Sequence, residues 1–153
     1  MEVYKISGKF RQNEEWSSIP EDFEGTIVVD EDSGIFKGVM KEKYDTPDPE
    51  RFVCGIKRGK TLAFFKVANV NDIDPLIYLF KNYKKIGTWG VLITIFSVSY
   101  YPQDKAKISL EPCDSESSDI IEQYQSRSED GCWGFSSRME ENINLLEELI
   151  SLL

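Results

Sequence analysis

Short segments in which apolar and polar residues alternate recur along the first 112 residues, and turn-forming residues separate them. The segments repeat at intervals of about 10 to 15 residues, a spacing typical of an all-β sandwich or barrel. Three of the separators, residues 30–34, 57–60 and 82–87, contain a glycine that can adopt the positive φ angle of a hairpin turn. Consecutive hairpins predict an antiparallel meander.

The alternation predicts eight strands, which we place near residues 3–11, 23–30, 35–44, 51–58, 61–68, 75–83, 87–99 and 105–111. Glycines lie inside several of these segments, where they favour bulges and sharp coiling in a sheet that closes on itself. We therefore expect a mainly β fold: an antiparallel up-and-down barrel of about eight strands over residues 1–112, followed by a C-terminal amphipathic α-helix.

The segment 86–103, IGTWGVLITIFSVSYYPQ, contains 18 consecutive uncharged residues. A membrane-spanning helix needs about 20 predominantly apolar residues. Glycine, serine and threonine dilute this segment, and its β-branched and aromatic residues favour a strand. We interpret it as a long strand with both faces covered, the C-terminal helix being the expected cover, and we expect no membrane partner.

The number of strands and the regular spacing of the hairpins over residues 3–111 resemble those of the calycin group, which comprises the lipocalin, fatty-acid-binding and avidin barrels. The resemblance implies an eight-stranded barrel with room for side chains or one small ligand.

Residues 113–153 differ sharply in composition and form an acidic extension, which we expect to dock on the barrel. A short helix is predicted at about 116–126, and an amphipathic helix follows at 139–153. The apolar stripe of this last helix gives the candidate partner-binding residues Met139, Ile143, Leu146, Ile150 and Leu153. Two alternatives remain open: the stripe packs on the chain's own barrel, or it binds a second copy or a groove in a partner.

Most of the net charge of −9 lies in this extension, because residues 1–112 carry −1 and residues 113–153 carry −8. Such a tail repels nucleic acid and anionic membranes, so a basic protein surface is the compatible partner. Solubility alone is the alternative role of an acidic tail. The first residues lack the layout of a secretory signal, and the three cysteines have no disulfide or zinc spacing, so we expect a cytoplasmic protein with reduced thiols.

The chain contains no histidine, which excludes serine and cysteine catalytic triads and histidine-based zinc sites within one chain. No Walker sequence and no Gly-x-Gly-x-x-Gly fingerprint occurs, and the acidic stretch 30–32 lacks the spacing of a calcium loop. We predict no catalytic residue, no metal site and no cofactor.

Aromatic residues on neighbouring strands give the candidate ligand site. Those that face inward could enclose an apolar or planar molecule, or they could simply form a packed core. The candidate ligand-binding residues are Phe36, Met40, Phe64, Tyr78, Phe80, Trp89 and Phe96. Lys37, Lys41 and Lys66 alternate with apolar neighbours and are expected to face outward, although an inward lysine would suit an anionic ligand.

Three functional hypotheses follow, and we favour them in this order. The first is a non-enzymatic protein that binds a small apolar or aromatic ligand in its barrel. The second is an adaptor or assembly protein that binds a basic partner, or itself, through the acidic C-terminal helix. The third is an enzyme that uses Asp, Glu, Tyr or Lys chemistry in the barrel mouth.

Overall fold

The structure is a computed structural model that describes residues 1–67, 76–83, 85–93, 97–129 and 133–153. Within these residues the chain forms nine strands and two α-helices, with a short 3₁₀ turn at Lys81–Tyr83. The strands are β1 Glu2–Gln12, β2 Glu15–Trp16, β3 Phe23–Val29, β4 Ile35–Glu42, β5 Glu50–Arg58, β6 Thr61–Val67, β7 Leu76–Phe80, β8 Ile86–Ile93 and β9 Ser99–Pro112. The helices are α1 Ser117–Glu129 and α2 Trp133–Ser151.

The sheet closes on itself because β1 pairs with both β3 and β9. Its strand order is β2-β1-β3-β4-β5-β6-β7-β8-β9, and every pairing is antiparallel. Eight strands form the closed barrel, and β2 adds a two-residue hairpin arm to the end of β1. The predicted mainly β class, the antiparallel up-and-down barrel and the C-terminal helix are confirmed.

One predicted strand boundary is wrong. The segment predicted as a single strand at 87–99 contains the end of β8 at Ile93, and β9 begins at Ser99, directly opposite Ile93. The sequence between these two strands, residues 94–98, contains no glycine, proline or asparagine that would predict a turn. The register also shifts between Trp89 and Gly90, which lets Pro102 lie within β9.

Two apolar layers result from this closure, and β6 contributes to both. Leu62 and Phe64 face the barrel interior, whereas Phe65 and Val67 face outward. The outward layer is covered by α2, whose Ile143, Leu146 and Leu149 are 7%, 0% and 3% exposed, and it also includes Leu92 and Val98. Because both faces of β6 are buried, its sequence TLAFFKV is nearly continuous in apolar residues.

The helix α1 packs over β3 and β4 on a neighbouring part of the wall, with Ile120 buried at 5% exposure. The acidic extension therefore contacts the barrel through both of its helices. No helix within the described residues has the length and apolar character that crossing a bilayer requires.

Candidate functional site

The predicted ligand-binding residues that the structure describes lie together in the barrel interior. Five of them are at most 2% exposed: Phe36, Met40, Phe64, Tyr78 and Phe80. The sixth, Trp89, is partly buried and packs against the same cluster. The seventh candidate, Phe96, lies outside the described residues.

These side chains contact one another closely. The ring of Phe64 stacks on Tyr78, with centroids 5.0 Å apart, and on Phe80, with centroids 6.3 Å apart. Two inward glycines make room for further rings, because a Cβ atom at Gly8 would overlap the ring of Phe23 and one at Gly55 would overlap the ring of Phe36. The middle of the barrel is therefore occupied by its own aromatic side chains.

A charged pair is buried at one end of this interior. Lys66 faces inward, contrary to our expectation for this lysine, and its Nζ lies 2.6 Å from Oε1 of Glu42. The side chains of Lys66 and Glu42 are only 3% and 1% exposed. Arg51 adds a second positive charge, with its Nε 3.5 Å from the same oxygen. We call the end of the barrel that contains this pair the mouth.

Three aromatic rings surround the ammonium group of Lys66. Its Nζ lies 4.6 Å from the ring centroid of Phe23, 5.0 Å from that of Tyr78 and 5.1 Å from that of Phe10. Burial lowers the pKa of Lys66, and the Glu42 carboxylate partly offsets this effect. Burial also raises the pKa of Tyr78 well above its usual value, so this phenol stays neutral.

The carboxylate of Glu42 is compensated mainly by the charges of Lys66 and Arg51. Its two carboxylate oxygens are buried, yet neither accepts a well-aligned hydrogen bond from the described residues. The short ion pair with Lys66 compensates the charge of the carboxylate without satisfying its oxygens in favourable directions. Buried carboxylates usually accept several hydrogen bonds, so this group is exceptional.

Asp22, by contrast, is buried with each carboxylate oxygen satisfied. Oδ2 accepts a hydrogen bond from the backbone N–H of Phe10 at 2.9 Å, and Oδ1 accepts one from the hydroxyl of Ser17 at 2.6 Å. Its backbone N–H donates to Gly8 and its carbonyl accepts from Lys43. Asp22 thus fixes the segment before β3 against β1 and the end of β4.

A cleft of about 540 Å³ lies above this layer, and we call it the mouth cleft. Its described lining comprises Phe10, Gln12, Asn13, Glu15, Trp16, Ser17, Ile19, Asp22 and Tyr44. Phe10 forms the link to the interior, because its ring contacts Tyr44 edge-on at 5.9 Å and also lies over Lys66. Burial and then the Glu42 carboxylate raise the pKa of Tyr44, while Arg51 opposes them.

The β1–β2 hairpin forms one wall of the mouth cleft and is held in a strained turn. Asn13 and Glu14 have φ angles of 51° and 64°, which are unusual for residues other than glycine. Asp104 anchors the turn, because it accepts hydrogen bonds from the Arg11 side chain at 2.6 Å and from the Glu14 backbone at 3.0 Å. The indole N–H of Trp89 adds a bond to the Arg11 carbonyl.

A second cleft, of about 530 Å³, lies on the outer wall beside α1. Its described lining includes side chains of both charges, among them Lys5, Glu24, Lys41, Lys43 and Glu50. Lys43 and Glu24 form an ion pair there at 2.8 Å. Cys113 also lines this cleft, and a hydrogen bond with Ser115 lowers the pKa of its thiol.

The predicted partner-binding stripe lies mainly against the barrel. Ile143 and Leu146 are buried, and Ile150 packs partly buried on the same layer, which corresponds to the first of our two alternatives for this helix. Leu153 is 53% exposed. The side chain of Met139 lies outside the described part of the chain.

Sequence reasoning missed the Glu42–Lys66 pair, although a signal was present. Glu42 continues the inward parity of Phe36 and Met40 on β4, and Lys66 continues that of Leu62 and Phe64 on β6. Among the described residues, no cluster of three or more acidic or cysteine side chains has the arrangement of a metal site.

Comparison with protein-family models, with curated proteins and with solved structures found no match for this chain. The closed eight-stranded antiparallel barrel is consistent with a calycin-like barrel, and the fold itself is the extent of that likeness.

Proposed function

We propose that this protein binds a small molecule in the mouth cleft, not in the middle of its barrel. A binding role is compatible with the barrel, and the proposal retains it. The ligand site, which the sequence analysis placed in the barrel interior, is now placed at the mouth. It is supported first by the occupied interior, where the stacked rings of Phe64, Tyr78 and Phe80 fill the space that a central ligand would need.

The observation that carries the proposal is the composition and position of the mouth cleft. Its volume falls within the range of small-molecule sites, about 300 to 1,000 Å³. Three aromatic side chains, Phe10, Trp16 and Tyr44, contribute to its lining, together with the fixed carboxylate of Asp22. A few fixed polar groups among aromatic walls are the usual construction of a binding site.

Strain in the neighbouring hairpin supports the same location. Residues held at positive φ without glycine cost stability, and such strain concentrates at functional sites. Here the hydrogen bonds from Arg11 and Glu14 to Asp104 hold the strained turn beside the cleft.

The test is a backbone amide NMR titration with two small aromatic probes, phenol and indole. We expect shift changes to cluster at Phe10, Trp16 and Tyr44, and the Tyr44→Ala variant to bind about tenfold more weakly. Tyr101→Ala is the matched control, because Tyr101 is an exposed tyrosine on β9 that does not line the cleft. Shifts centred on Phe64 and Phe80, or no shifts at the mouth, would contradict the proposal.

A second proposal concerns the outward face of α2. With the apolar stripe against the barrel, the exposed side of the helix presents acidic residues, including Glu141 and Glu148, and ends in the exposed Leu152 and Leu153. This face suits a basic protein surface. In an NMR titration, a lysine-rich peptide should shift the amide signals of α2. Glu148→Lys should weaken the binding of this peptide, whereas the control Glu111→Lys should not. If the α2 signals do not shift, this second proposal is wrong.

A further inference from the structure

We propose that the ligand of the mouth cleft is an organic cation, such as a primary amine or a quaternary ammonium compound. This inference rests on the proposed function, since it names the chemical class that the same cleft would take.

The carboxylates in the lining of the cleft favour a cation, and two ammonium groups border it: that of Lys9 at the carbonyls of Ser17 and Ile19, and that of Lys107 over the ring of Trp16. Among the described residues that line it, Glu15 and Asp22 are acidic and none is basic. The Glu42 carboxylate lies beside Lys66, whose ammonium contacts the ring of Phe10, and its oxygens accept no well-aligned hydrogen bond from the described residues. Lys66 and Arg51 offset part of this negative charge, but they do not line the cleft and both are paired with Glu42.

The aromatic lining also favours a cation. The faces of aromatic rings carry negative potential, and cages of such rings are a common means of recognising ammonium groups. Phe10 and Tyr44 are oriented edge to face at 85°, so the two rings present surfaces in different directions. Trp16 already holds a cation on one face of its ring, where the ammonium of Lys107 lies 4.2 Å from the ring centroid.

The interior of the same mouth contains an internal example of this recognition. Lys66 is an ammonium group held by three rings and one carboxylate, with its Nζ 4.6 to 5.1 Å from the ring centroids. Phe10 belongs both to this cage and to the lining of the cleft. An ammonium placed above Phe10 would therefore meet the same kinds of groups that already stabilise Lys66. An anion would meet Glu15 and Asp22 instead, while the buried lysine is already paired.

The experiment compares choline with its uncharged isostere, in which a carbon atom replaces the nitrogen. The two molecules have the same shape, so their difference in affinity reports the charge alone. We expect choline to shift the amides of Phe10, Trp16 and Tyr44 and to bind about tenfold more tightly than the isostere. Added salt should reduce this preference, because part of it is electrostatic.

A pair of variants locates the effect. Glu15→Gln removes one exposed carboxylate of the cleft, and we expect it to weaken choline binding about threefold while leaving the isostere unchanged. Glu111→Gln is the matched control, since Glu111 is an exposed strand glutamate outside the cleft, and it should alter neither affinity.

The outcomes separate this inference from the function on which it rests. If phenol and indole bind at the mouth but choline binds no better than its isostere, the cationic class is wrong and the binding function stands. If none of these probes binds at the mouth, both proposals fail. If choline binds elsewhere on the surface, the cation is not a ligand of this cleft and the inference is overturned.

Discussion

The barrel interior and the layer beneath α2 are both apolar, yet they are built differently. The interior is aromatic, uses glycines to make room for rings, and ends in a buried ion pair at the mouth. The layer beneath α2 combines aliphatic side chains with Phe52 and Phe65, and the helix residues Ile143, Leu146 and Leu149 complete it.

The difference indicates a division of roles. A helix packed on an apolar wall needs no buried charge, and such a layer stabilises the fold through burial alone. A buried pair such as Glu42 and Lys66 costs desolvation free energy and is a weak source of stability. Its presence at the mouth therefore distinguishes the end of the barrel where we place the ligand. Substitutions in each layer can test this contrast.

The largest effect is expected from Lys66→Met. This change leaves the Glu42 carboxylate buried with only Arg51 near it, and removing one partner of a buried pair costs about 3–5 kcal/mol. Chemical denaturation measures the loss. In the double variant Glu42→Met/Lys66→Met, most of the stability should return, because both buried charges are removed and Arg51, which is 13% exposed, keeps its hydrogen bonds to the carbonyls of Asp48 and Glu50.

The exposed pair of Lys43 and Glu24 provides the control. Its atoms lie 2.8 Å apart, but both side chains are partly exposed, so Lys43→Met should cost less than about 1 kcal/mol. Equal losses for Lys66→Met and Lys43→Met would show that the mouth pair is not special.

The next effect is expected beneath α2. Leu146 is fully buried there, and Leu146→Ala should cost about 3 kcal/mol through lost burial and the cavity that remains. Leu152→Ala, directly after the end of the helix and at a residue 64% exposed, should change stability by less than about 0.5 kcal/mol. Similar losses for the two variants would mean that the helix is not docked as described.

The reactivity of Cys54 gives a second measure of the same layer. Its thiol lies in the cluster beneath α2, and burial raises its pKa to about 12, so almost no thiolate forms near neutral pH. We expect a thiol reagent to label Cys113 rapidly and Cys54 only upon opening of the layer. Leu146→Ala should accelerate the labelling of Cys54 and leave that of Cys113 unchanged.

The outer layer and the barrel could be predicted from the sequence because both follow from periodicity. The alternation in β1 and β3 and the stripe of Ile143, Leu146 and Ile150 are local patterns that appear unchanged in the structure. The boundary between β8 and β9 could not be predicted, because the uncharged run rich in β-branched and aromatic residues continues from one strand into the other and the alternation does not mark where β8 ends.

The mouth was harder to predict for a different reason. A lysine within apolar alternation is normally placed outward, since burying it requires a partner that one strand cannot reveal. The partner, Glu42, lies two strands away on β4. Similarly, the lining of the mouth cleft comes from β1, β2, Tyr44 and the segment that leads into β3, whose meeting depends on the hairpin at Asn13 and Glu14.

A smaller effect should appear in the pH dependence of stability. The pKa of Lys66 in the folded protein lies below its unfolded value of about 10.4. Between these two values the unfolded chain binds more protons, so this group makes the free energy of unfolding rise with pH. The stability of the wild type relative to Lys66→Met should therefore increase as the pH rises from the folded pKa of Lys66 towards about pH 10. A decrease would mean that the ion pair raises the pKa of Lys66 instead; Lys41→Met, at an exposed lysine, serves as the control.

The smallest effect concerns the hairpin that forms one wall of the mouth cleft. Glu14 adopts a φ angle of 64° in a two-residue turn, where Asn-Gly is the preferred sequence. Glu14→Gly relieves the left-handed strain, retains the backbone donor to Asp104, and should stabilise the protein by about 1 kcal/mol, measured by thermal unfolding. Glu15→Gly, one residue later in β2, has no such strain to relieve and should be neutral or destabilising.

If strain at the mouth serves binding, Glu14→Gly should weaken the affinity for the probes that bind there even as it raises stability. If Glu14→Gly raises stability but leaves the affinity for the probes unchanged, the strained turn has no role in binding. The buried pair of Glu42 and Lys66 would then be the feature that distinguishes the mouth from the layer beneath α2.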